Sequence, residues 1–166
     1  TEQRAIAPQR AHLDLATLLV TEIESMTPYI EAKQHYLMTE IPAILPSVLA
    51  DPWLIKQVIG GLLHNAVSYT PPNGTLCLIA DAVHDAYREY VQIMVADSGV
   101  GIPPEEQDKV FTRWFRGDPY QTADDWRLGI NLYQAQRIVT AHGGRIWFES
   151  EPGRGTTFYV TLPMVV

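Results

Sequence analysis

From Asp14 onward, Leu15, Leu19, Ile23, Met26 and Ile30 recur at helical spacing, which predicts an amphipathic helix reaching about Lys33. Pro28 lies inside this stretch and predicts a kink or a weak turn. The period then shortens. Residues 35–41 and 47–50 read as strands, separated by the proline-marked segment PAILP. Asp51-Pro52 opens a second helix, with aspartate at the cap and proline in the first turn. This helix runs through WLIKQVIGGLLHNAVSY to the breaker Thr70-Pro71-Pro72-Asn73-Gly74. Strands over residues 75–83 and 90–97 lead into the loop DSGVGIPPEE. Residues 110–127 show no clean period and read as a long excursion of the functional or mobile kind. A third helix over 128–142 carries Leu132, Ala135, Ile138 and Val139 on one face and stops at Gly143-Gly144. RIWFES and TTFYVTLP are the closing strands, joined across a turn at 151–155. Helices and strands interleave without a regular βαβ rhythm. The expected class is α+β, one mixed and mostly antiparallel sheet with helices on one face.

Length and charge narrow what this pattern can serve. The 166 residues suffice for one domain with a sizeable core. Residues 1–11 read as a linker and 12–166 as the domain, since the first ten lack periodicity and contain Pro8. A net charge of -7 argues against non-specific nucleic-acid binding, which needs a basic face. No apolar run approaches the roughly 20 residues of a membrane helix, and the first residues do not form a signal peptide. A cytoplasmic location without direct membrane contact is therefore expected. The single cysteine, Cys77, cannot form an internal disulfide and reads as a small buried hydrophobe between Leu76 and Leu78.

Candidate chemistry begins on the second helix. At 100° per residue, Leu54, Ile55, Val58, Ile59, Leu62 and Ala66 cover one arc, with Gln57, Gly61, Asn65 and Ser68 along its edge. A polar strip at the rim of a buried face can line a cleft. The Asn65 carboxamide oxygen is a hard, neutral ligand that suits Mg²⁺ already carrying phosphates and water. An asparagine on a helix also commonly bonds locally, and the residue alone leaves both readings open. Strand alternation puts Asp97 at the end of the row Val91, Ile93, Val95. A carboxylate there needs a donor, because an unpaired buried charge is costly. The exocyclic amine of a purine is one candidate; the amides of the next turn are another. Gly99 and Gly101 would let backbone approach a flat ligand closely. Gly153-Arg154-Gly155-Thr156-Thr157 reads by itself as a hairpin turn, and His142 as a helix C-terminal cap. The five histidines show no metal-ligand spacing, and no nucleophile–histidine arrangement stands out.

The order of these motifs is more specific than any one of them. LIKQVIGGLLHNAVSYTPPNG resembles the N box of sensor histidine kinases, and LADPWLIKQV its usual approach. DSGVGIPPEEQDKVFTRWFRGD is similar to the G1 box running into the F box. RLGINLYQAQRIVTAHGGRIWFESEPGRGTTFYVTLP resembles the G2 box, its helix and the terminal hairpin. The resemblance spans roughly residues 12–163, and the family shares its superfamily with gyrase-type and Hsp90-type ATPases. It implies a two-layer α/β sandwich holding ATP between helices and sheet under a mobile lid. Carried over by position, Asp97 would meet the adenine amine and Asn65 would ligate Mg²⁺. Gly99, Gly101 and Ile102 would shape the base pocket. Phe111, Arg113 and Arg116 would belong to the lid, and Arg127, Gly129 and Thr157 would complete the nucleotide contacts. The implied partners are a histidine-bearing dimerisation domain and a response regulator, with the isolated domain monomeric.

Several positions depart from the family pattern. Gly61 stands where a first N-box asparagine is usual, and Ser68 where a phosphate-contacting lysine is usual. In the G2 box only Gly129 of three glycines remains; Arg127 and Asn131 replace the others. Arg127 either supplies the charge absent at Ser68 or blocks the pocket. None of His12, His35, His64, His84 or His142 stands in a phosphoacceptor segment. A degenerate domain acting through protein contacts is the alternative function. An anti-sigma-type serine kinase is a third reading, which LADPWLIKQV and DSGVGIPPEE disfavour.

Overall fold

A computed structural model describes residues 4–112 and 132–165. The elements run β1 (Ala11–Leu13), α1 (Leu15–Ala32), β2 (Tyr36–Glu40), β3 (Val48–Ala50), α2 (Pro52–Tyr69), β4 (Thr75–His84), β5 (Glu89–Asp97), α3 (Pro104–Gln107), α4 (Leu132–Ala141), β6 (Arg145–Glu151) and β7 (Gly155–Pro163). Five strands form the main sheet in the order β2-β4-β5-β7-β6. Only the β2–β4 pair is parallel; the other three pairs are antiparallel. β1 and β3 form a separate antiparallel ribbon. The fold is the expected α+β sandwich, with α2 packed between α1 and α4, and α2 and α4 against one face of the sheet.

Alternation decides which residues face the helices. Leu76, Leu78 and Ala80 of β4, Val91, Ile93 and Val95 of β5, and Phe158, Val160 and Leu162 of β7 are all buried. They meet Leu15, Leu19, Met26 and Ile30 of α1 and Ile55, Val58, Ile59, Leu62 and Ala66 of α2 in one continuous core. Ile23 packs half-buried against this core as expected, and Glu22 beside it is buried as well, which pushes its carboxyl above the usual range. The opposite sheet face carries a stacked Trp147–Tyr159 pair with the Arg145 guanidinium over Trp147. Cys77 falls on this outer face, so it is half-buried where full burial was expected. Partial burial, with Glu40 nearby, pushes its thiol upward and keeps it protonated.

Two helix ends show how local chemistry sets the chain path. α4 ends in a Schellman motif: Gly144 N–H donates to Val139 O, Gly143 N–H donates to Thr140 O, and Gly143 has φ 75°. α1 ends the same way, through His35 N–H to Ile30 O and Gln34 N–H to Glu31 O. Its left-handed position is occupied by Gln34, at φ 54°. α1 thus runs to Ala32 with Pro28 inside it, close to the expected end at about Lys33. Ile30 is buried in that last turn and the motif closes it. Left-handed geometry costs a non-glycine residue about 1–2 kcal/mol. Gln34→Gly, discounted for glycine's larger unfolded-state entropy, is expected to stabilise the domain by about 0.5–1 kcal/mol. Urea unfolding checks this; a loss of stability would mean that the Gln34 side chain has a compensating role.

The segment expected to be a linker lies along the domain from residue 4. Ile6 packs on the core, Arg4 O accepts from the Arg137 guanidinium, Arg10 donates to Ala141 O, and Gln9 N–H donates to Asp51.

Candidate functional site

The site forms where the C-terminal end of α2 meets the loop after β5. Asp51 starts α2 by accepting from Trp53 N–H and Leu54 N–H, with Pro52 in the first turn. His142 steadies this start from across the domain. Its Nδ1–H donates to Ile138 O at 2.7 Å, and its Nε2 accepts from Asp51 N–H at 3.0 Å. It therefore caps α4, as expected, and also ties α4 to α2, which its place in the sequence did not reveal. Gln57, Asn65 and Ser68 are half-buried along the edge of α2, while Gly61 is buried. Among the described residues nothing hydrogen-bonds the Asn65 carboxamide, so the local bonding that competes with a ligand role is not made.

Asp97 ends β5, paired with Leu76 on one side and Thr156 on the other. Its Oδ1 accepts from Gly99 N–H at 2.9 Å and from Thr156 N–H at 3.2 Å. Both donors converge on that one oxygen, and Oδ2 has no hydrogen bond among the described residues. Burial pushes the carboxyl up to about 6; the bonds from Gly99 and Thr156 pull the other way without cancelling it. A partly buried carboxylate with one oxygen pinned and the other open is suited to accept from a planar amine.

The following loop is anchored on three sides. Val100 N–H donates to Tyr69 O, the last residue of α2, and Gly153 N–H donates to Val100 O. Ile102 N–H donates to Ser150 Oγ at 2.8 Å, and Gln107 bridges Ile102 O and Ser150 O. The glycines permit this closeness. A Cβ on Gly99 would strike Tyr69 O, one on Gly101 would strike Glu151 O, and one on Gly155 would strike Asp97 O. Gly101 and Gly155 also have positive φ, 74° and 117°. These glycines therefore let backbone segments of the site pack on one another. Past the short α3, Phe111 rests against Phe148, which in turn meets Phe158.

The structure thus brings Asp97, Gly99, Gly101 and Ile102 together where the end of α2 meets β5 and the glycine loop, while Asn65 lies on α2 one turn before Tyr69 and Phe111 lies against Phe148. Thr157 pairs with Ala96 and lies on the other face of β7 from Asp97. Thr156 stands beside Asp97 instead, its Oγ bonded to Ser150 Oγ at 2.8 Å. Sequence reading missed Thr156 and Ser150, although alternation from the buried Phe158 would have found Thr156. Arg113, Arg116, Arg127, Gly129 and Asn131 lie outside the described residues, as does nearly all of the expected lid.

The donor set fits a purine nucleotide at one end: an open carboxylate oxygen, close-packed glycines and the apolar Ile102. No group of three or more His, Cys, Asp or Glu gathers among the described residues. A metal here would therefore depend on the neutral Asn65 oxygen together with phosphate and water, which matches Mg²⁺ better than a thiolate- or imidazole-seeking ion.

Sequence comparison agrees with this architecture. Residues 50–166 match the family of histidine kinase-, DNA gyrase B- and HSP90-like ATPases, and the chain belongs to that family. Within it, the chain is similar to the adaptive-response sensory kinase SasA of Synechococcus sp. (strain JA-3-3Ab), 41% identical over 150 residues, and to SasA of Synechococcus elongatus, 38% identical over 147. The matches cover 90% and 89% of this chain but 38% and 37% of those kinases, so it spans well under half their length. Among solved structures it is similar to the catalytic domain of histidine kinase ThkA, with TM-score 0.78, 27% identity and coverage of 94% of this chain and 96% of that one. Full-length ShkA in complex with AMPPNP matches with TM-score 0.80 and 26% identity, over 98% of this chain and 33% of ShkA. ThkA in complex with the response regulator TrrA matches with TM-score 0.75 and 27% identity, over 95% of this chain and 42% of ThkA.

Proposed function

We propose that this chain is the ATP-binding catalytic domain of a two-component sensor histidine kinase, binding Mg-ATP and directing its γ-phosphoryl group to a histidine on a separate helical dimerisation domain. Residues 12–166 would form that domain and 1–11 the linker to its neighbour. The open Oδ2 of Asp97 is the observation that carries this reading. Asp97 accepts the adenine amine, Gly99, Gly101 and Ile102 border the base, and Asn65 offers its carboxamide oxygen to Mg²⁺. By resemblance, Phe111, Arg113 and Arg116 are assigned to the covering segment and Gly129 to the phosphate end, where Arg127 either supplies the charge absent at Ser68 or blocks the pocket; of these only Phe111 lies within the described residues. Bound Mg-ATP supplies the phosphoryl group and neutralises much of its charge, so positioning is the main task of the protein. The phosphorylated histidine then serves a response regulator, as the ThkA–TrrA pairing suggests by likeness. The protein is assigned to the cytoplasm; among the described residues no helix is long and apolar enough to cross a membrane.

Calorimetry of ATP binding with and without magnesium tests this reading. Tight, magnesium-dependent binding is expected. Its absence would favour the alternative, a degenerate domain acting through protein contacts, for which Ser68 in place of a cationic residue is the specific argument. Asn65→Ala is expected to remove most of the magnesium-dependent part of ATP affinity while sparing ADP without metal. Equal losses in both conditions would assign Asn65 a packing role.

A further inference from the structure

α2 ends differently from α1 and α4. Thr70 follows it in extended geometry, φ -100° and ψ 119°, with no left-handed residue to fold the chain back onto the last carbonyls. Those carbonyls have no partner within the helix and lie at the negative end of its 18 residues. They are satisfied from outside. The Lys33 Nζ donates to Val67 O at 2.8 Å and to Ser68 O and Thr70 O at 3.2 Å. His35 Nε2 lies 3.0 Å from Thr70 O and 3.1 Å from Pro71 O. Both are acceptors, so Nε2 carries the proton. The remaining carbonyl, Tyr69 O, accepts from Val100 N–H of the glycine loop at 3.3 Å.

We infer that Lys33, assisted by His35, is a positioning residue for the nucleotide site: it clamps the end of α2 so that Tyr69 O is presented to Val100 and the glycine loop is held against Asp97. The Schellman turn at the end of α1 aims both side chains at the end of α2. The link is tightened by Asn73 N–H to Lys33 O and by Tyr36 N–H to Gly74 O. With three carbonyls drawn to one ammonium, the fourth points to the loop. Without the ammonium, Val67 O and Ser68 O lose this donor, the last turn of α2 is free to fray, and the Tyr69–Val100 bond is the first contact at risk. The clamp lies at the base end of the site, so it bears on adenosine and ATP alike. Its effect on ligand affinity rests on the proposed function; its effect on the loop does not.

Lys33→Met, Lys33→Arg and the wild-type domain, compared by amide exchange without nucleotide and by titration with ATP and with adenosine, test the clamp. In Lys33→Met, Val100 N–H is expected to exchange about tenfold faster, and ATP and adenosine to lose affinity by a similar factor of about ten, the scale of one charge-assisted hydrogen bond. Amides of β5 should change little. Lys33→Arg, which keeps charge and donors at the helix end, should recover to within about twofold. A fall in thermal midpoint with Val100 exchange unchanged would overturn the inference and leave Lys33 a plain helix cap. Loss of ATP affinity without loss of adenosine affinity would also overturn it, pointing to a direct phosphate contact. If wild-type protein binds neither ligand, the functional reading fails, and Val100 exchange alone decides the clamp. Should Lys33→Met not fold, His35→Leu removes the second donor with its volume kept and is read by the same criteria.

Discussion

Asp97→Asn is expected to strengthen the empty domain while weakening its grip on ATP. Burial raises the folded-state carboxyl from 3.8 to about 6. Below the unfolded value both states are protonated and stability is fully present. As pH rises through the folded value, the buried group must ionise and that stability is lost. The whole shift corresponds to about 2–3 kcal/mol at pH 8. Asparagine mimics the protonated carboxyl, keeps an oxygen for Gly99 N–H and Thr156 N–H, and never ionises. The variant should therefore exceed the wild type by about 2–3 kcal/mol at pH 8, with the advantage vanishing near pH 4. Urea unfolding at both pH values measures the difference. Binding should move the other way. The two backbone donors pin the amide oxygen, so its NH₂ is placed where Oδ2 would accept from adenine. A charged hydrogen bond of about 1.5–3 kcal/mol is replaced by two facing donors, a loss of tenfold or more in affinity. For the wild type, ATP affinity should fall as pH drops through about 6. Unchanged affinity in the variant would remove Asp97 from the base pocket.

The second large effect is expected at Gly101, and Gly153 provides its control. Both have left-handed φ, 74° and 79°. A Cβ on Gly153 meets nothing within 4 Å, whereas one on Gly101 strikes Glu151 O and lies 2.9 Å from Pro152 Cα. Gly153→Ala should therefore show only the backbone cost, about 1–2 kcal/mol. Gly101→Ala adds the displacement of one backbone segment from another, about 1–3 kcal/mol more. That displacement lifts the glycine loop off the hairpin between β6 and β7, so nucleotide affinity should fall with stability. In Gly153→Ala it should not. Equal unfolding midpoints for the two variants would show that the loop yields without cost and does not depend on this approach.

The same contrast separates what was legible in the residues from what was not. Helical spacing on α1 and α2, alternation on β4, β5 and β7, the Asp51-Pro52 start and the Gly143-Gly144 stop all act within a few neighbouring residues, so the string carries them. Alternation from Phe158 puts Thr156 on the inward face of β7, but that it stands opposite Asp97 is a matter of register between β5 and β7, which the sequence does not carry. The run of α1 through Pro28 was legible in the spacing of Met26 and Ile30, whereas the capping turn built on Gln34 that ends it was not. β1 has three residues, too short for its alternation to register, and exists because β3 pairs with it.

By itself the sequence determined the α+β class, the main helices and strands, and the placing of Asn65 and Asp97 at the rim of an apolar core. These follow from periodicity and from the cost of burying polar groups. Tertiary structure alone decided which Asp97 oxygen is pinned, why its carboxyl titrates high, and which side chains finish α2. Gly99 and Thr156 reach one carboxylate from segments 59 residues apart in the longer case, and Lys33 spans 34 to 37 residues to the carbonyls it holds. No local pattern encodes such meetings: the chain-entropy cost of each is met by the core that brings β5, β7, α1 and α2 together.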